Sequence, residues 1–292
     1  MNRREFIVAS VGAGMAAAAV ADAQVDAKTD TKITFLGTSH GAVTPERFCS
    51  CTLLQVGGRN YVVDAADGAP GRIRGAGGVF LPDLNAVFIT HPHSDHFGGL
   101  PMLLAQHSFA HWCYKKRVKP GLVLDVLLPG EDFCKSMLDL LGSPLLHLPN
   151  KKVQNVRAYV PGVIFDDGNV KVTAYGNDHM GRRKDGTQIA HSLLFECANG
   201  KRIFFSGDLS SKYDLPLEGI KDKGVDLLVS ELVHYPIACA VERLKGLPIK
   251  KVCFQHYGDQ WEAPGWQKRF ADFAAQLTMP AERVKDLDVR YV

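Results

Sequence analysis

Four potential metal ligands lie within six consecutive positions in the first half of the chain: His91, His93, Asp95 and His96. They directly follow a short apolar segment, residues 85–90, whose pattern predicts a buried strand. A turn at the end of a strand can direct His91 and His93 toward one point, and Asp95 and His96 toward a neighbouring point. Imidazoles with a carboxylate are ligands that zinc or iron binds more readily than magnesium or calcium does. The segment therefore predicts a transition-metal site.

The elements around these ligands predict one mixed α/β domain. Two glycines follow the ligands and let the backbone pass close to the site, and a helix is predicted from Leu100 to Gln106. A hairpin around Gly57 and Gly58 comes early, and alternating strands and helices follow, which predicts two sheets with helices outside. Since no linker or composition break divides residues 24–292, we expect a single domain. Further strands are predicted at 32–37, 51–56, 60–64, 121–128, 153–160, 170–176, 191–197, 202–206, 225–230, 250–255 and 288–292, and helices at 70–76, 131–141, 237–244 and 264–277.

The first 23 residues have the pattern of an export signal. Arg3 and Arg4 precede an apolar run at 8–20 that ends in small residues, which is typical of a secretory signal. The paired arginines resemble a twin-arginine signal, although Asn2 stands where Ser or Thr is usual. We therefore expect residues 1–23 to direct export of the folded protein to the periplasm, with an uncleaved anchor as the alternative. The run is too short to span a membrane comfortably.

The composition is that of a compact globular protein without a strong charge. The 292 residues include 46% hydrophobic and 22% charged side chains, so a buried core is expected. The net charge of +3 is too small to indicate nucleic-acid binding by itself. Seven cysteines are scattered along the chain, and an odd number of this kind does not form a disulfide framework. The one close pair, Cys49 and Cys51, is expected to be buried rather than to form a redox or metal site.

The His-x-His-x-Asp-His segment resembles the signature of the metallo-β-lactamase superfamily. The resemblance implies a four-layered αββα sandwich, an α/β fold with the metal site on one edge. In that pattern a third His, a bridging Asp and a last His follow later strands, and His179, Asp208 and His256 stand in this order after apolar segments. The resemblance implies two ligand groups that share Asp208: a first group of His91, His93 and His179, and a second group of Asp95, His96 and His256.

One further acidic residue has a counterpart in the superfamily. Asp64 ends a predicted strand and resembles the early Asp that braces the histidine loop. Such a role is physically sensible, because a metal-bound imidazole normally donates its second N–H to a carboxylate or carbonyl. A local turn or helix-capping role for Asp64 is the alternative.

The expected metals determine the chemistry. Two zinc ions, or iron or manganese in their place, can share a hydroxide when they lie about 3.5–4 Å apart, because coordination lowers the pKa of water to about 7. The hydroxide can attack a carbonyl, phosphorus or sulfur centre, and Asp95 could orient it. The sequence has no Gly-x-Ser-x-Gly elbow and no phosphate-binding loop. We therefore expect a metal-dependent hydrolase.

Other segments indicate which branch of the superfamily the chain resembles. Asp208 stands where β-lactamase members carry Cys or Ser, which argues against a β-lactamase. Residues 35–41, the run from Pro45 to Arg47 and residues 96–104 resemble the ribonuclease Z branch, which includes arylsulfatases and cyclic-nucleotide phosphodiesterases. The His-Glu-Ala motif of ribonuclease Z is Ser-Glu-Leu here, at 230–232, and the interval between the third His and the bridging Asp is too short for its tRNA-gripping arm. The resemblance thus favours the branch but not tRNA processing.

Three further features each allow two interpretations. His234 could replace the missing His as proton donor to the leaving group, on one helix face with Glu231, or be an ordinary surface histidine. The basic run 182–184 could bind phosphate or sulfate, but a solvated hairpin turn is favoured. The basic residues at 115–119 stand beside aromatic residues and could bind single-stranded nucleic acid, but a solvated loop is favoured.

Taken together, the sequence predicts an exported dinuclear-zinc hydrolase of phosphodiesters or similar small anionic esters. Asp95, Glu231 and His234 are the expected catalytic residues. The alternatives are a lactone or thioester hydrolase at the same site and, less favoured, a β-lactamase or a catalytically silent metal-binding protein. We expect a small anionic ester as substrate, no stable nucleic-acid partner and no membrane contact beyond the signal segment; a homo-oligomer stays open.

Overall fold

The computed structural model describes residues 31–44 and 46–292, so the predicted signal segment at 1–23 lies outside the described residues. Among the described residues, none of the helices has the length and apolar character needed to cross a membrane. The strands are β1 Lys32–Gly37, β2 Cys51–Val56, β3 Arg59–Ala65, β4 Leu84–Phe88, β5 Leu124–Pro129, β6 Gln154–Tyr159, β7 Gly162–Asp166, β8 Val170–Arg182, β9 Gln188–Cys197, β10 Arg202–Phe205, β11 Leu227–Leu232, β12 Val252–Tyr257, β13 Ala281–Arg283 and β14 Val289–Tyr291. The helices are α1 Ala69–Arg74, α2 Ser94–Phe97, α3 Leu100–Cys113, α4 Glu131–Gly142, α5 Ile237–Leu244 and α6 Trp266–Ala274.

The described strands form two sheets of seven strands each. The first sheet has the order β14-β1-β2-β3-β4-β5-β6, and the second has the order β13-β12-β11-β10-β9-β8-β7. Neighbouring strands from β3 to β6 are parallel in the first sheet, as are those from β10 to β13 in the second. Ligands of such sheets bind beyond the carboxyl ends of parallel strands. The predicted ligands near β4, β10 and β12 lie at these ends, so both sheets contribute to one edge.

Three hydrophobic clusters define four layers. The cluster between the sheets includes Phe88, Phe165 and Phe195, which come from strands of both sheets. A second cluster joins the outer face of the first sheet to α1, α3 and α4. A third joins the outer face of the second sheet to α5 and α6. The predicted αββα sandwich is therefore confirmed.

Phe88 lies between the sheets in contact with two other aromatic rings, and its removal is expected to be costly. Its ring is fully buried and makes edge contacts with Phe165 and Phe195, at centroid distances of 5.3 and 5.2 Å. We expect Phe88→Ala to lower the free energy of unfolding by about 3–5 kcal/mol, through lost burial and a residual cavity. Denaturant unfolding measures this, with the half-exposed Phe109→Ala as control. A loss for Phe88→Ala no larger than that of the control would contradict this packing.

The element boundaries differ from the predicted ones where the sequence signal is weak. Strands β7 and β13 were not predicted. β13 has three half-buried residues at a sheet edge and β7 is an edge strand with exposed ends, so neither shows a clear alternation of hydrophobic and polar residues. Helix α3 continues past the predicted end at Gln106 to Cys113. The sequence pattern did not predict this later part because its buried face includes His107 and His111, which are not typical core residues. β8 runs on to Arg182, well beyond the predicted end at 176.

Candidate metal centre

The seven predicted ligands come together at the shared edge of the two sheets. Two sets of ligand atoms each lie within 4.8 Å of one another: His91, His93, His179 and Asp208 form one, and Asp95, His96 and His256 form the other; a third set, Asp208, His234 and His256, overlaps them. His91 and His93 lie in the loop after β4, and Asp95 and His96 lie in the short helix α2. These are the two groups that the resemblance implied. The expectation that His179 and His256 follow the ends of their strands is wrong, because β8 includes His179 and β12 includes His256. The pairing of β8 with β9 shifts between Asn177 and Arg182, around His179.

One oxygen of Asp208 connects the two groups. Its Oδ2 lies 3.3 Å from His96 Nε2, 3.2 Å from His256 Nε2 and 3.6 Å from the Nε2 atoms of both His91 and His179. Donors at 2.0–2.1 Å from a tetrahedral zinc ion are about 3.3 Å apart. The spacing of the donor atoms therefore fits a metal in each group, with Asp208 shared. Asp208 Oδ1 and His96 Nε2 are buried and have no hydrogen-bond partner among the described residues, as expected of atoms reserved for metals.

In four of the five ligand rings, the nitrogen that faces away from the centre is held by a neighbouring group. Nδ1 of His93 points toward the other rings, at 3.1 Å from His91 Nε2 and 3.2 Å from His179 Nε2. The other rings present Nε2 to the centre, and their Nδ1 atoms lie at hydrogen-bond distance from Thr90 Oγ1 (His91), Asp64 Oδ2 (His96), the Leu209 carbonyl (His179) and Ser50 Oγ (His256). Such partners fix the orientation of a ligating imidazole. The supporting roles of Ser50, Thr90 and Leu209 were not predicted, since nothing in their local sequence marks them.

The electrostatics of the centre keep Asp208 ionised among the imidazoles. Burial lowers the pKa of His91 well below its ordinary value, and the neighbouring His96 acts in the same direction, so the ring is neutral as metal binding requires. Burial opposes charge on His96 too, but the carboxylates of Asp208 and Asp64 raise its pKa well above the ordinary value. Burial would raise the pKa of Asp208, yet His256 and His96 hold it well below normal. An ionised buried carboxylate among imidazoles is the environment that a divalent cation satisfies.

Two residues of the centre have backbone conformations that are rare for side chains with a Cβ. Asp64 has φ +57° and His256 has φ +48°. Strain of this kind clusters at functional sites, where the surrounding structure maintains it. At Asp64 it accompanies a carboxylate that accepts hydrogen bonds from the Thr90 N–H at 2.8 Å and lies 2.8 Å from His96 Nδ1. Asp64 therefore occupies the position of the predicted brace.

The bracing by Asp64 leads to a testable consequence. We expect Asp64→Asn to weaken metal binding by about 10–100-fold, because it removes the charge that orients His96. Asn tolerates positive φ, so the backbone is preserved. Isothermal titration of the metal-free protein with zinc measures the affinity, and the exposed Asp222→Asn serves as control. Equal affinities for Asp64→Asn and the wild type would show that the brace is not needed.

Glu231 and His234 form a hydrogen-bonded pair at the rim of the centre. The expectation of a shared helix face is wrong, because β11 ends at Leu232 and α5 begins only at Ile237, so the two lie on a strand end and a turn. The pair forms nevertheless, with 2.8 Å between His234 Nδ1 and Glu231 Oε2. The Glu231 carboxylate is buried and also accepts the Val233 and His234 N–H groups at 3.0 Å, which holds the turn.

His234 lies close enough to the ligands to act on a molecule bound there. Its Nδ1 is 3.8 Å from Asp208 Oδ2, and its ring is 4.6 Å from that of His179 and stacks over His256 at 5.8 Å. About a third of its side chain is exposed. Burial disfavours the protonated ring, but the hydrogen bond and charge of Glu231 more than offset this and raise the pKa of His234.

The two basic runs lie apart from the ligand groups or are engaged elsewhere. Arg182 pairs with Asp178 at 2.9 Å, and the Arg183 guanidinium donates to the carbonyls of Gln188 and Pro129, so it joins the β8–β9 hairpin to the end of β5. The run at 115–119 follows the C-terminal end of α3, whose 14 residues extend about 21 Å from the metal loop. The contacts of the first run, and the distance of the second run from the metal loop, favour the structural interpretation of both.

Comparisons with known proteins identify the family and the fold. A family model described as anti-Pycsar protein Apyc1 matches residues 31–279. Ribonuclease Z of Mycolicibacterium paratuberculosis is 25% identical over 236 residues, which cover 77% of this chain and 77% of that protein. The metallo-β-lactamase fold protein YhfI from Bacillus subtilis superposes with a TM-score of 0.65 at 16% identity, covering 90% of this chain and 100% of that one. Unliganded yeast PDE1 superposes with a TM-score of 0.64 at 13% identity, covering 90% and 100%.

The family model spans most of the chain and includes every predicted ligand. The two superposed structures share the fold, and the ribonuclease Z relative supports the branch that the sequence resembles. The chain therefore belongs to the family of the anti-Pycsar protein Apyc1, and it has the metallo-β-lactamase fold.

Proposed function

We propose that this protein is a dinuclear-zinc hydrolase of small phosphodiesters. The observation that carries the proposal is the position of Asp208, whose Oδ2 is 3.2–3.6 Å from ring nitrogens of both ligand groups. A shared carboxylate of this kind suits two adjacent metals, and two-metal sites are typical of phosphoester hydrolysis. Nitrogen and carboxylate donors favour zinc, with iron or manganese as alternatives.

The chain supplies the ligands and the groups that orient them. His91, His93 and His179 would hold one metal, and Asp95, His96 and His256 the other, with Asp208 between them. When bound, the two metals supply a water of lowered pKa and stabilise negative charge on phosphoryl oxygens. Asp95 is a partly exposed ligand, with Oδ2 at 3.9 Å from the Nε2 atoms of both His96 and His256. It is therefore placed to accept a hydrogen bond from the attacking water and orient it.

His234 is the proposed proton donor to the leaving group. Glu231 binds its Nδ1, which fixes the ring and leaves Nε2 for proton transfer. The ring is partly exposed beside Asp208, so it can contact a substrate held by the metals. The pair thus replaces the missing His of the His-Glu-Ala motif by a residue three positions further along the chain.

The substrate class follows from the branch and from what the chain lacks. The ribonuclease Z relative indicates phosphodiester chemistry, and the predicted export signal would separate this protein from precursor tRNA. The interval between His179 and Asp208 contains only the end of β8, β9, β10 and short turns, with no inserted arm. We therefore propose small phosphodiesters, including cyclic mononucleotides, and no stable nucleic-acid partner.

A panel of substrates tests the proposal. Protein of measured zinc content would be assayed with bis-p-nitrophenyl phosphate, a 3′,5′-cyclic mononucleotide, p-nitrophenyl sulfate, an acyl lactone, a thioester and a cephalosporin. We expect phosphodiesters to be hydrolysed fastest. A clear preference for the lactone, thioester or cephalosporin would keep the metal centre and overturn the substrate class. Two bound metals with no turnover of any substrate would indicate a silent site.

We also propose export to the periplasm by the twin-arginine route. Support comes from Arg3, Arg4 and the following apolar run. Cell fractionation with N-terminal sequencing of the mature chain tests this, and Arg3→Lys combined with Arg4→Lys is the matched variant. We expect the wild type to be processed near residue 23 and the double variant to stay in the cytoplasm. Unprocessed wild-type protein in the cytoplasm would contradict export.

A further inference from the structure

A loop formed by residues 38–44 lies against the second ligand group and is firmly anchored. Thr38 donates its N–H to Asp286 Oδ1 at 2.9 Å, and its carbonyl accepts the buried Arg47 guanidinium at 2.7 Å. The same guanidinium donates to the carbonyl of Tyr257, the residue after the ligand His256, at 2.9 Å. The position of this loop relative to the metal centre is therefore determined by several buried contacts.

Gly41, at the tip of the loop, lies close to the predicted ligand Asp95. Gly41 has φ +88°, and a Cβ on it would lie 3.2 Å from Asp95 Oδ2. A glycine is required here both for this backbone conformation and for the close approach. His40 is the adjacent residue, and the ligands His256 and Asp95 are among the groups that act electrostatically on its ring, which places the ring on the Asp95–His256 side of the centre.

The ring of His40 has a polar atom without a partner. The side chain is half-buried, and its Nδ1 is buried with no hydrogen-bond partner in the part of the chain that the structure describes. Burial lowers the pKa of His40, and the charged or titratable groups that act on it are His256, Asp259, Arg47 and Asp95. The ring is therefore neutral at neutral pH, with one donor and one acceptor.

A buried polar atom without a partner is unfavourable, so the partner is expected to come from outside the chain. A half-turn about the Cβ–Cγ bond exchanges the two edges of the ring, and it can move Nδ1 from the buried side to the exposed side of this half-buried side chain. This half-turn breaks no hydrogen bond of Nδ1, since none is formed among the described residues. A phosphodiester at the metals offers only acceptor oxygens, which match an imidazole N–H.

We propose that His40 is a substrate-binding residue that donates a hydrogen bond to a phosphoryl oxygen on the Asp95–His256 side of the centre. The inference rests on the proposed function and adds a contact that the ligand set does not include. His40 and His234 would then contact the substrate from different positions, the one at the loop tip and the other at the end of β11. His40 acts on binding, whereas His234 acts on departure of the leaving group.

The test compares His40→Ala and His40→Asn with His147→Ala, which changes an exposed histidine in the segment after α4. The measurements are kcat and KM for bis-p-nitrophenyl phosphate, the inhibition constant of inorganic phosphate, zinc content and thermal unfolding. We expect His40→Ala to raise KM and the phosphate inhibition constant about tenfold, since it removes a hydrogen bond to a charged acceptor. We expect kcat and zinc content close to wild type, partial recovery in His40→Asn, and no change in His147→Ala.

The outcomes separate this inference from the proposed function. Unchanged KM and phosphate inhibition in an active, metal-loaded His40→Ala overturn the role of His40 and leave the function intact. If His40→Ala binds less zinc or unfolds early, metal-loaded His40→Phe, which keeps a ring but has no N–H to donate, decides: a raised KM supports the role and a wild-type KM overturns it. If the wild type hydrolyses no phosphodiester, the proposed function fails, and calorimetric binding of inorganic phosphate to the metal-loaded variants still tests His40.

Discussion

Asp208→Asn is expected to abolish phosphodiester hydrolysis. The Asp208 carboxylate has its Oδ2 within 3.6 Å of ring nitrogens of both ligand sets, and it is almost fully buried. An amide is a neutral and much poorer zinc ligand, so we expect fewer than two metals per chain. Metals contribute several kcal/mol of charge stabilisation in the transition state. Because each 1.36 kcal/mol changes a rate tenfold, we expect kcat/KM to fall by about a thousandfold or more.

Metal analysis and kinetics on the same preparation measure this effect. Asp222→Asn, which changes an exposed carboxylate to an amide, is the matched control and is expected to behave as wild type. Thermal unfolding with and without zinc shows whether the Asp208→Asn chain is still folded. A folded Asp208→Asn protein with two metals and normal turnover would contradict the bridging role.

His234→Ala is expected to slow hydrolysis in a way that depends on the leaving group. General acid catalysis contributes about 10²–10⁴-fold. A diester with an alkoxide leaving group, such as a cyclic nucleotide, needs the proton, whereas p-nitrophenolate leaves readily without one. We therefore expect a loss of about 10²–10⁴ in kcat for the cyclic nucleotide and a much smaller loss for bis-p-nitrophenyl phosphate.

Metal content and a second variant distinguish the alternatives for His234. Glu231→Gln keeps the size of the partner but removes the charge that holds His234 Nδ1. It is expected to show the same dependence on the leaving group, with a smaller loss. If His234→Ala instead loses a metal, His234 is a ligand, which its closeness to Asp208 and His256 would also allow. Equal losses for both substrates with both metals retained would exclude the proton-donor role.

The ligand set was accessible from the sequence because the resemblance to the metallo-β-lactamase superfamily implies which ligands to expect, and local pattern and chain order then locate them. The loop from His91 to His96 carries the spacing, and the ends of apolar strands mark Asp208 and His256. The parallel strands β3–β6 and β10–β13 bring such ends to a common edge, so order along the chain translated into proximity. The fold class followed from the same alternation of strands and helices.

Other features depend on contacts between distant parts of the chain and were not predictable. Ser50 Oγ lies 2.9 Å from His256 Nδ1 although 206 positions separate the two residues. The pairing of Glu231 with His234 was predicted on a helix, but a turn held by backbone N–H groups makes it instead. The role of His40 depends on a glycine that touches Asp95, a packing detail without a local signal.

The most direct test is a zinc titration of the metal-free protein in which bound zinc and phosphodiester turnover are measured together. Two ligand groups that share Asp208 predict that turnover rises to a maximum at two zinc ions per chain, and that chelation abolishes it reversibly. The metal-free protein is also expected to unfold at a lower temperature, since metals that bind only the folded state stabilise it. Full turnover without bound metal, or saturation at one zinc per chain, would contradict the dinuclear hydrolase.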